Sequence, residues 1–144
     1  MTELIQSLSI PGPIPTGTSM PFWKAAQLGE LALQRCSDCD AWFFYARTHC
    51  PHCWSHCVNW HAASGTGVIK SFSVVHRPGH SAWAPAAPYV IALIELKEGP
   101  TMLTQLLGDG RLSARIGQGV KLCCVPVGQF TLPFFELTGE RGSA

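Results

Sequence analysis

The sequence predicts a mainly β protein in which a short N-terminal helix and a cysteine-rich module precede a small five-stranded barrel. Two observations carry this prediction. Two Cys-x-x-Cys pairs, separated by ten residues, lie in the first half of the chain. From Gly65 onward, short apolar runs are divided by Gly and Pro, with little helical periodicity between them. Five such runs in roughly 70 residues are typical of a closed barrel, and the oligonucleotide/oligosaccharide-binding (OB) barrel fits best.

Composition narrows the class of protein. The 144 residues are 47% hydrophobic and 13% charged, which excludes a disordered chain. The net charge of +1 lacks the basic excess of a nucleic-acid-binding domain. The N-terminus does not resemble a secretory signal, and no apolar run reaches the ~18 residues that span a membrane. We therefore expect a cytoplasmic protein without membrane or nucleic-acid partners, whose seven cysteines are thiols or metal ligands.

Changes in residue composition along the chain divide it into five segments. They are a flexible arm (1–17), a helix with a lead-in strand (18–34), a zinc ribbon (35–61), an OB-fold barrel (62–138) and a tail (139–144). The arm is predicted to be extended and poorly ordered, because it contains Pro11, Pro13 and Pro15. Alternatively, its apolar residues could dock on a partner.

A short helix is predicted after the arm. Ser19 is a plausible N-cap, Pro21 suits the first turn, and Gly29 is a natural stop. Phe22 and Trp23 are adjacent, so they point about 100° apart and cannot share a narrow core stripe. Either one of them faces a partner, or both pack at the junction of the chain's own modules.

Five strands are predicted in the barrel region. They lie near Gly67–His76, Tyr89–Leu96, Met102–Leu107, Val120–Val127 and Phe134–Leu137. The longest linker, 77–88, is predicted to be neither strand nor helix, and a loop of this length is often functional. His76, Arg77, His80 and Trp83 lie in or beside it and form a candidate ligand loop, because the first three could meet an anionic group such as a phosphate.

The cysteine pairs predict a metal centre. Cys36 with Cys39, and Cys50 with Cys53, each place two sulfurs within reach of one ion, and the intervening hairpin joins the pairs into a tetrahedral site. Zinc fits best, and iron would satisfy the same four sulfurs. Because catalytic zinc keeps an open position for water, four thiolates indicate a structural metal.

Other reactive side chains have simpler interpretations. Each Cys-x-x-Cys pair with its turn is here called a knuckle. Four further side chains near the knuckles could each replace a thiolate as a metal ligand, but they are better explained as exposed neighbours of the site. They are His49, His52, His56 and Cys57. Cys123 and Cys124 lie in an apolar strand and are predicted to be structural thiols. The sequence shows no nucleophile–base pair, so no catalytic residue is assigned.

Several stretches together resemble a known family. They are 21–26 (Pro-Phe-Trp-Lys-Ala-Ala), 33–39 with the first cysteine pair, 50–53 with the second, 65–76, 88–96 and 115–117. The pattern, over roughly residues 20–137, resembles acyl-CoA-associated proteins that join a rubredoxin-like zinc ribbon to an OB-fold, long catalogued as a domain of unknown function. Asp40 and Trp54 depart from it, since small residues, often Gly in the first case, usually follow the second cysteine of each pair.

The resemblance implies a function that composition cannot reveal. Its members are generally non-catalytic accessory or scaffold subunits that hold an acyl-CoA-processing complex together and help seat the CoA thioester. The implied partner is a thiolase-like enzyme (a thiolase, a sterol-carrier-type thiolase or a steroid side-chain aldolase) or an enoyl-CoA hydratase. The implied cofactor is structural Zn²⁺, and steroid degradation is the preferred context. The alternatives are a nucleic-acid-binding ribbon and OB module, and a free-standing acyl-CoA enzyme.

An aromatic segment between the knuckles predicts the partner surface. Alternation in a strand places Trp42 and Phe44 on one face and Phe43 and Tyr45 on the other. One face could pack on the barrel and the other on a partner enzyme, since aromatics are enriched at interface hot spots. These four residues, with Phe22 and Trp23 of the helix, are the predicted interface.

Overall fold

The structure, a computed structural model, describes residues 2–141, and for residues 140 and 141 it describes the backbone alone. Its helices are α1 (Thr2–Ser7) and α2 (Met20–Gln27), and two short 3₁₀ helices span Ser81–Ala86 and Arg111–Ser113. Its strands are β1 (Ala32–Cys36), β2 (Trp42–Phe43), β3 (Val58–Ala62), β4 (Thr66–Val75), β5 (Tyr89–Leu96), β6 (Thr101–Leu107), β7 (Gln118–Val127) and β8 (Phe130–Arg141).

The strands form two sheets, which confirms the predicted mainly β class. The first three make a small antiparallel sheet in the order β2-β1-β3. The other five close into a barrel in the order β4-β5-β6-β8-β7, in which the parallel pair β6–β8 completes the circle. Along β5, Val90, Ala92, Ile94 and Leu96 are buried while their neighbours are not, as expected for a strand with one face on a core.

The small sheet and the barrel share one hydrophobic core. Leu31 and Leu33, at the start of the small sheet, belong to the same buried cluster as Ile94 and Phe135 of the barrel. Phe22 of α2 packs against this cluster. The metal-binding module is therefore fixed to the barrel by apolar burial, which is the main driving force of folding.

The N-terminus differs from the predicted flexible arm. Residues 2–7 form α1, and Ile5 is fully buried in a second cluster with Leu107 and Val125 on the outside of the barrel. Farther along, Gly12 lies so close to the Phe130 ring that a Cβ at this position would clash with it. The apolar residues of this segment thus dock on the chain's own barrel, because burying Ile5 offsets the low intrinsic stability of so short a helix.

The helix α2 agrees with the predicted position, but its start is held differently. Ser19 precedes the helix without capping it through its side chain, and its Oγ instead accepts a hydrogen bond from the Thr16 N–H at 2.9 Å. Gly29 has φ 78°, a conformation that glycine adopts without strain, and the helix ends just before it.

Two further segments differ from prediction. The long linker, predicted to lack helix, contains the 3₁₀ helix Ser81–Ala86, and His80 caps it by accepting a hydrogen bond at Nδ1 from the Ala82 N–H at 3.1 Å. The last strand begins at Phe130 rather than near Phe134, and it continues to Arg141. The predicted tail is therefore strand over residues 139–141, and its residues 142–144 lie outside the described part of the chain. Within residues 2–141, no helix combines the length and apolarity needed to cross a membrane.

Candidate functional site

The four predicted metal ligands come together at one end of the small sheet. The sulfurs of Cys36, Cys39, Cys50 and Cys53 all lie within 4.8 Å of one another. The Cys36–Cys53 and Cys39–Cys50 Sγ–Sγ distances are both 3.6 Å. A tetrahedral ion with Zn–S bonds of about 2.3 Å would place its sulfurs about 3.8 Å apart. The four thiols therefore fit a zinc ion with little rearrangement.

The two knuckles have matching backbones. The Cys36 N–H donates to the Ala41 carbonyl and the Cys50 N–H to the Ser55 carbonyl, both at 2.9 Å and both spanning five residues. The residue after the second cysteine of each pair is left-handed: Asp40 has φ 61° and Trp54 has φ 66°. A side chain is strained in this conformation, whereas glycine is not. Asp40 and Trp54 therefore stand at positions whose backbone favours glycine, and each adds backbone strain there.

The crowded thiols affect one another's ionisation. Burial raises the pKa of Cys50, but the N–H groups of Cys53 and His52, together with the Cys39 and Cys53 thiols, outweigh burial and hold the pKa at about 7. For Cys53, the Ser55 N–H lowers the pKa, and burial with the three neighbouring thiols outweighs it and raises the pKa to about 12. A central cation favours the thiolate form of its ligands.

The nearby histidines and the fifth cysteine lie outside the cluster. Among the side chains of residues 2–139, the four cysteines are the only group of three or more potential ligands close enough to share an ion. The His49 and His56 rings contact each other with centroids 3.9 Å apart, and the Thr48 hydroxyl lies 2.8 Å from Nδ1 of His49. Cys57 is exposed.

Five of the six aromatic residues predicted as a partner interface border one cavity, here called the junction cavity. It has a volume of about 310 Å³ and lies between α2, the small sheet and strands β6 and β8 of the barrel. None of its lining residues is charged. The five aromatic residues are Phe22, Trp23, Phe43, Phe44 and Tyr45.

The predicted alternation of faces holds in part. Trp42 and Phe44 both pack against the shared core. Trp42 does not border the junction cavity, and the Arg35 guanidinium lies 5.4 Å from its ring centroid. Phe43 is only 5% exposed and packs with Cys36. It therefore serves mainly the interior of the ribbon and offers little surface to a partner.

Tyr45 leaves the strand geometry on which the alternation rests. Strand β2 ends at Phe43, and Tyr45 has φ 68°. Tyr45 is exposed, and its ring packs at a tilt against that of Phe44, with centroids 4.5 Å apart. Tyr45 therefore lies at the solvent-exposed edge of the junction cavity.

A second cavity, here called the outer slot, lies on the outside of the barrel. Its volume is about 490 Å³, and none of its lining residues is charged. Trp83 and Tyr89 line it with ring centroids 5.5 Å apart. The outer slot and the junction cavity have Leu103, Thr104 and Phe134 in common, so the two are neighbours along β6 and β8.

The predicted ligand loop is only partly brought to a cavity. Trp83 borders the outer slot, whereas His76, Arg77 and His80 border neither the slot nor the junction cavity. His80 uses its Nδ1 to cap the 3₁₀ helix. Sequence reasoning missed Gln105, which lines the outer slot and is 5% exposed. The sequence signal that could have identified Gln105 is its amide side chain, which lies within the apolar run of β6.

The remaining cysteines show no activation as nucleophiles. Burial, with the Glu136 carboxylate, raises the pKa of Cys123 against the weaker opposing effect of Lys121. Burial and the neighbouring Cys123 raise the pKa of Cys124. Reactive cysteines have a lowered pKa, so neither thiol has the environment of an activated nucleophile, and their role as structural thiols stays a prediction.

A small zinc-ribbon sheet packed on a closed OB barrel defines the class of this protein. Residues 23–58 match the ChsH2 rubredoxin-like zinc ribbon domain, and residues 60–125 match the ChsH2 C-terminal OB-fold domain. The chain belongs to this family, which confirms the resemblance seen in the sequence.

The similar proteins include a scaffold protein and a subunit of an enzyme. A DUF35 domain-containing scaffold protein of Methanothermobacter thermautotrophicus is 34% identical over 108 residues, covering 74% of this chain and 80% of the relative. A probable enoyl-CoA hydratase alpha subunit of Thermomonospora curvata is 38% identical over 117 residues, covering 80% of this chain. The chain spans only 36% of the length of that hydratase subunit.

One solved structure covers nearly the whole fold. A chain of the Ltp2-ChsH2(DUF35) aldolase superposes with a TM-score of 0.77 and 34% sequence identity. The match covers 88% of this chain and 98% of the solved chain. The ribbon, the barrel and their junction are therefore similar in both proteins.

Proposed function

We propose that this chain is a non-catalytic accessory subunit of an acyl-CoA-processing complex, which docks on a thiolase-like enzyme and helps to seat its CoA thioester. The observation that carries the proposal is the match to the Ltp2-ChsH2(DUF35) aldolase, which covers 98% of the solved chain at 34% identity. The name of the Methanothermobacter relative, a scaffold protein, supports a non-catalytic role.

The site supports docking rather than catalysis. Four sulfurs fill the coordination shell of zinc and leave no position for a reacting water. Zinc would hold the two knuckles together, and with them the segment 43–46 that borders the junction cavity. That cavity is uncharged and rich in aromatic residues, as expected for the centre of a protein interface. The net charge of +1 lacks the basic excess of a nucleic-acid-binding domain, which disfavours the nucleic-acid alternative.

The partner can be identified by co-expression. The full chain would be produced with thiolase-like and enoyl-CoA hydratase subunits from the same organism and passed over a sizing column. We expect one stable complex with the thiolase-like subunit. Co-elution with the hydratase subunit alone would identify that enzyme as the partner, as the Thermomonospora relative suggests. Separate elution of every pair at micromolar concentration would contradict an accessory role, and acyl-CoA turnover by the isolated chain would indicate a free-standing enzyme.

A further inference from the structure

A third cavity lies beside the junction cavity and carries a positive charge. It has a volume of about 670 Å³ and is here called the basic recess, because Arg47 borders it and no acidic residue does. Ala46 borders both the basic recess and the junction cavity, so the two adjoin each other along the segment 45–47. The ribbon therefore presents an uncharged aromatic surface and a cationic surface side by side.

The Arg47 side chain is exposed, while its backbone is held in place. Its guanidinium takes part in neither of the two ion pairs found among the described residues. Gln34 of β1 is 4% exposed, and its amide donates to the Arg47 carbonyl at 2.8 Å and accepts from the Arg47 N–H at 2.7 Å. A buried amide thus fixes the backbone beneath an exposed cation. Pairing this cation with a counter-charge therefore requires little further ordering of the chain.

Two exposed aromatic residues with strained backbones accompany Arg47. Tyr45 has φ 68° and borders the junction cavity, and Trp54 has φ 66° and borders the basic recess. Bulky side chains rarely adopt positive φ, and such strain is concentrated at functional sites. Because both residues are exposed, burial within this chain does not account for their rings. Trp, Tyr and Arg are also the residue types most enriched at interface hot spots.

We propose that Tyr45, Arg47 and Trp54 form a docking site for a segment of the partner enzyme that carries a carboxylate next to an apolar side chain. The apolar side chain enters the uncharged junction cavity, and the carboxylate of an Asp or Glu pairs with Arg47 in the basic recess. A guanidinium suits this role because it can donate two parallel hydrogen bonds to one carboxylate. The existence of a partner rests on the proposed function, whereas the unpaired cation and the strained aromatic residues are features of this chain.

The affinity of the zinc-loaded, full-length chain for the enzyme subunit with which it co-elutes tests the proposal. Calorimetry would measure it for the wild type and for variants at Arg47. We expect Arg47→Gln to weaken assembly about tenfold, and Arg47→Glu about a hundredfold because it places like charges together. Assembly of Arg47→Gln should also depend less on salt. Arg77→Gln is the matched control, since Arg77 is exposed but borders neither the junction cavity nor the basic recess, and it should assemble as the wild type does.

Thermal unfolding separates a docking residue from a structural one. Both Arg47 variants should unfold at the wild-type temperature, because the guanidinium has no ion-pair partner among the described residues and Gln34 binds only backbone atoms of residue 47. Trp54→Ala provides a variant at a second position and should weaken assembly about tenfold.

The outcomes distinguish this docking site from the accessory role itself. If the wild type forms no complex with a thiolase-like or hydratase subunit, the proposed function and the docking site both fail. If the wild type assembles and Arg47→Glu has the same affinity, the docking site is wrong and the accessory role stands. Binding of a single-stranded oligonucleotide by the isolated chain, lost in Arg47→Gln, would assign this surface to nucleic acid and overturn the proposal.

Discussion

Trp54 carries a large exposed ring on a strained backbone. It is 77% exposed, and its φ of 66° lies in the region that disfavours side chains by roughly 1–2 kcal/mol. Asp40 occupies the equivalent position of the first knuckle, and Asp tolerates this conformation better. Its carboxylate also lies 3.7 Å from the Arg35 guanidinium, an exposed pair that contributes little. The second knuckle is therefore the more strained of the two.

Replacing Trp54 tests this strain. We expect Trp54→Gly to raise the free energy of unfolding of the zinc-loaded protein by about 1 kcal/mol, because glycine adopts positive φ freely. Trp54→Ala is the matched control, since it removes the same ring and keeps the strain. Urea unfolding at a fixed free zinc concentration measures both. Equal stability of the Gly and Ala variants would show that the backbone is not strained.

The ligand set is tested by two neighbouring cysteines. Cys53 belongs to the four-sulfur cluster, whereas Cys57 lies outside it. We expect Cys53→Ser to lose bound zinc and Cys57→Ser to retain one zinc per chain, measured by elemental analysis of the purified proteins. Loss of metal from the Cys57 variant alone would mean that the ligand assignment is wrong.

Single residues show the limits of sequence reasoning. The metal ligands were predictable because their spacing is local and the geometry of zinc is demanding. Gln105 was not, because the burial of one polar side chain depends on which distant segments cover it. Phe43 was predicted at an interface because it is aromatic; it borders the junction cavity, but neighbours in the ribbon, Cys36 among them, leave it 5% exposed, and its contact with a partner stays a prediction.

Among the elements, α1 shows how tertiary contacts determine a short helix. Six residues cannot form a stable helix alone, and the Pro-rich sequence that follows suggests an extended chain. Ile5 is fully buried against the barrel and explains why the helix forms. The barrel strands were easier to predict, because alternation and Gly/Pro turns are local signals. The start of β8 was missed because Pro133 lies inside the strand, where proline is normally disfavoured.

The docking of α1 can be measured by truncating its buried side chain. We expect Ile5→Ala to lower the free energy of unfolding by about 2–4 kcal/mol if α1 unfolds only with the barrel, as is usual for large-to-small changes in a core. Leu4→Ala, on the exposed side of the same helix, should change it by less than about 0.5 kcal/mol. Amide hydrogen exchange over α1 should likewise be faster in Ile5→Ala than in Leu4→Ala. If both variants unfold like the wild type, α1 contributes nothing to global stability.

At the scale of the whole molecule, the shared core predicts what zinc removal does. The knuckles depend on the metal, since metal binding and folding of such modules are coupled. Leu31 and Leu33 are buried with the barrel residues and not with the cysteines. We therefore expect the apoprotein to lose hydrogen-exchange protection over residues 36–57 while β4–β8 stay protected. Uniform loss across the chain would show that the barrel also needs zinc.

The same architecture predicts where a partner enzyme docks. Leu103 is 52% exposed on β6 and borders both cavities, whereas Leu112 is 49% exposed and borders neither. A charge at Leu103 would be desolvated beneath a docked partner, which is costly without a counter-charge. We expect Leu103→Glu to weaken assembly with the partner at least about tenfold, a loss of about 1.4 kcal/mol. Leu112→Glu should assemble normally, and both variants should unfold at similar temperatures because both side chains are half exposed. Equal affinity of the two variants for the partner, measured by calorimetry, would place the interface away from the junction cavity and the outer slot.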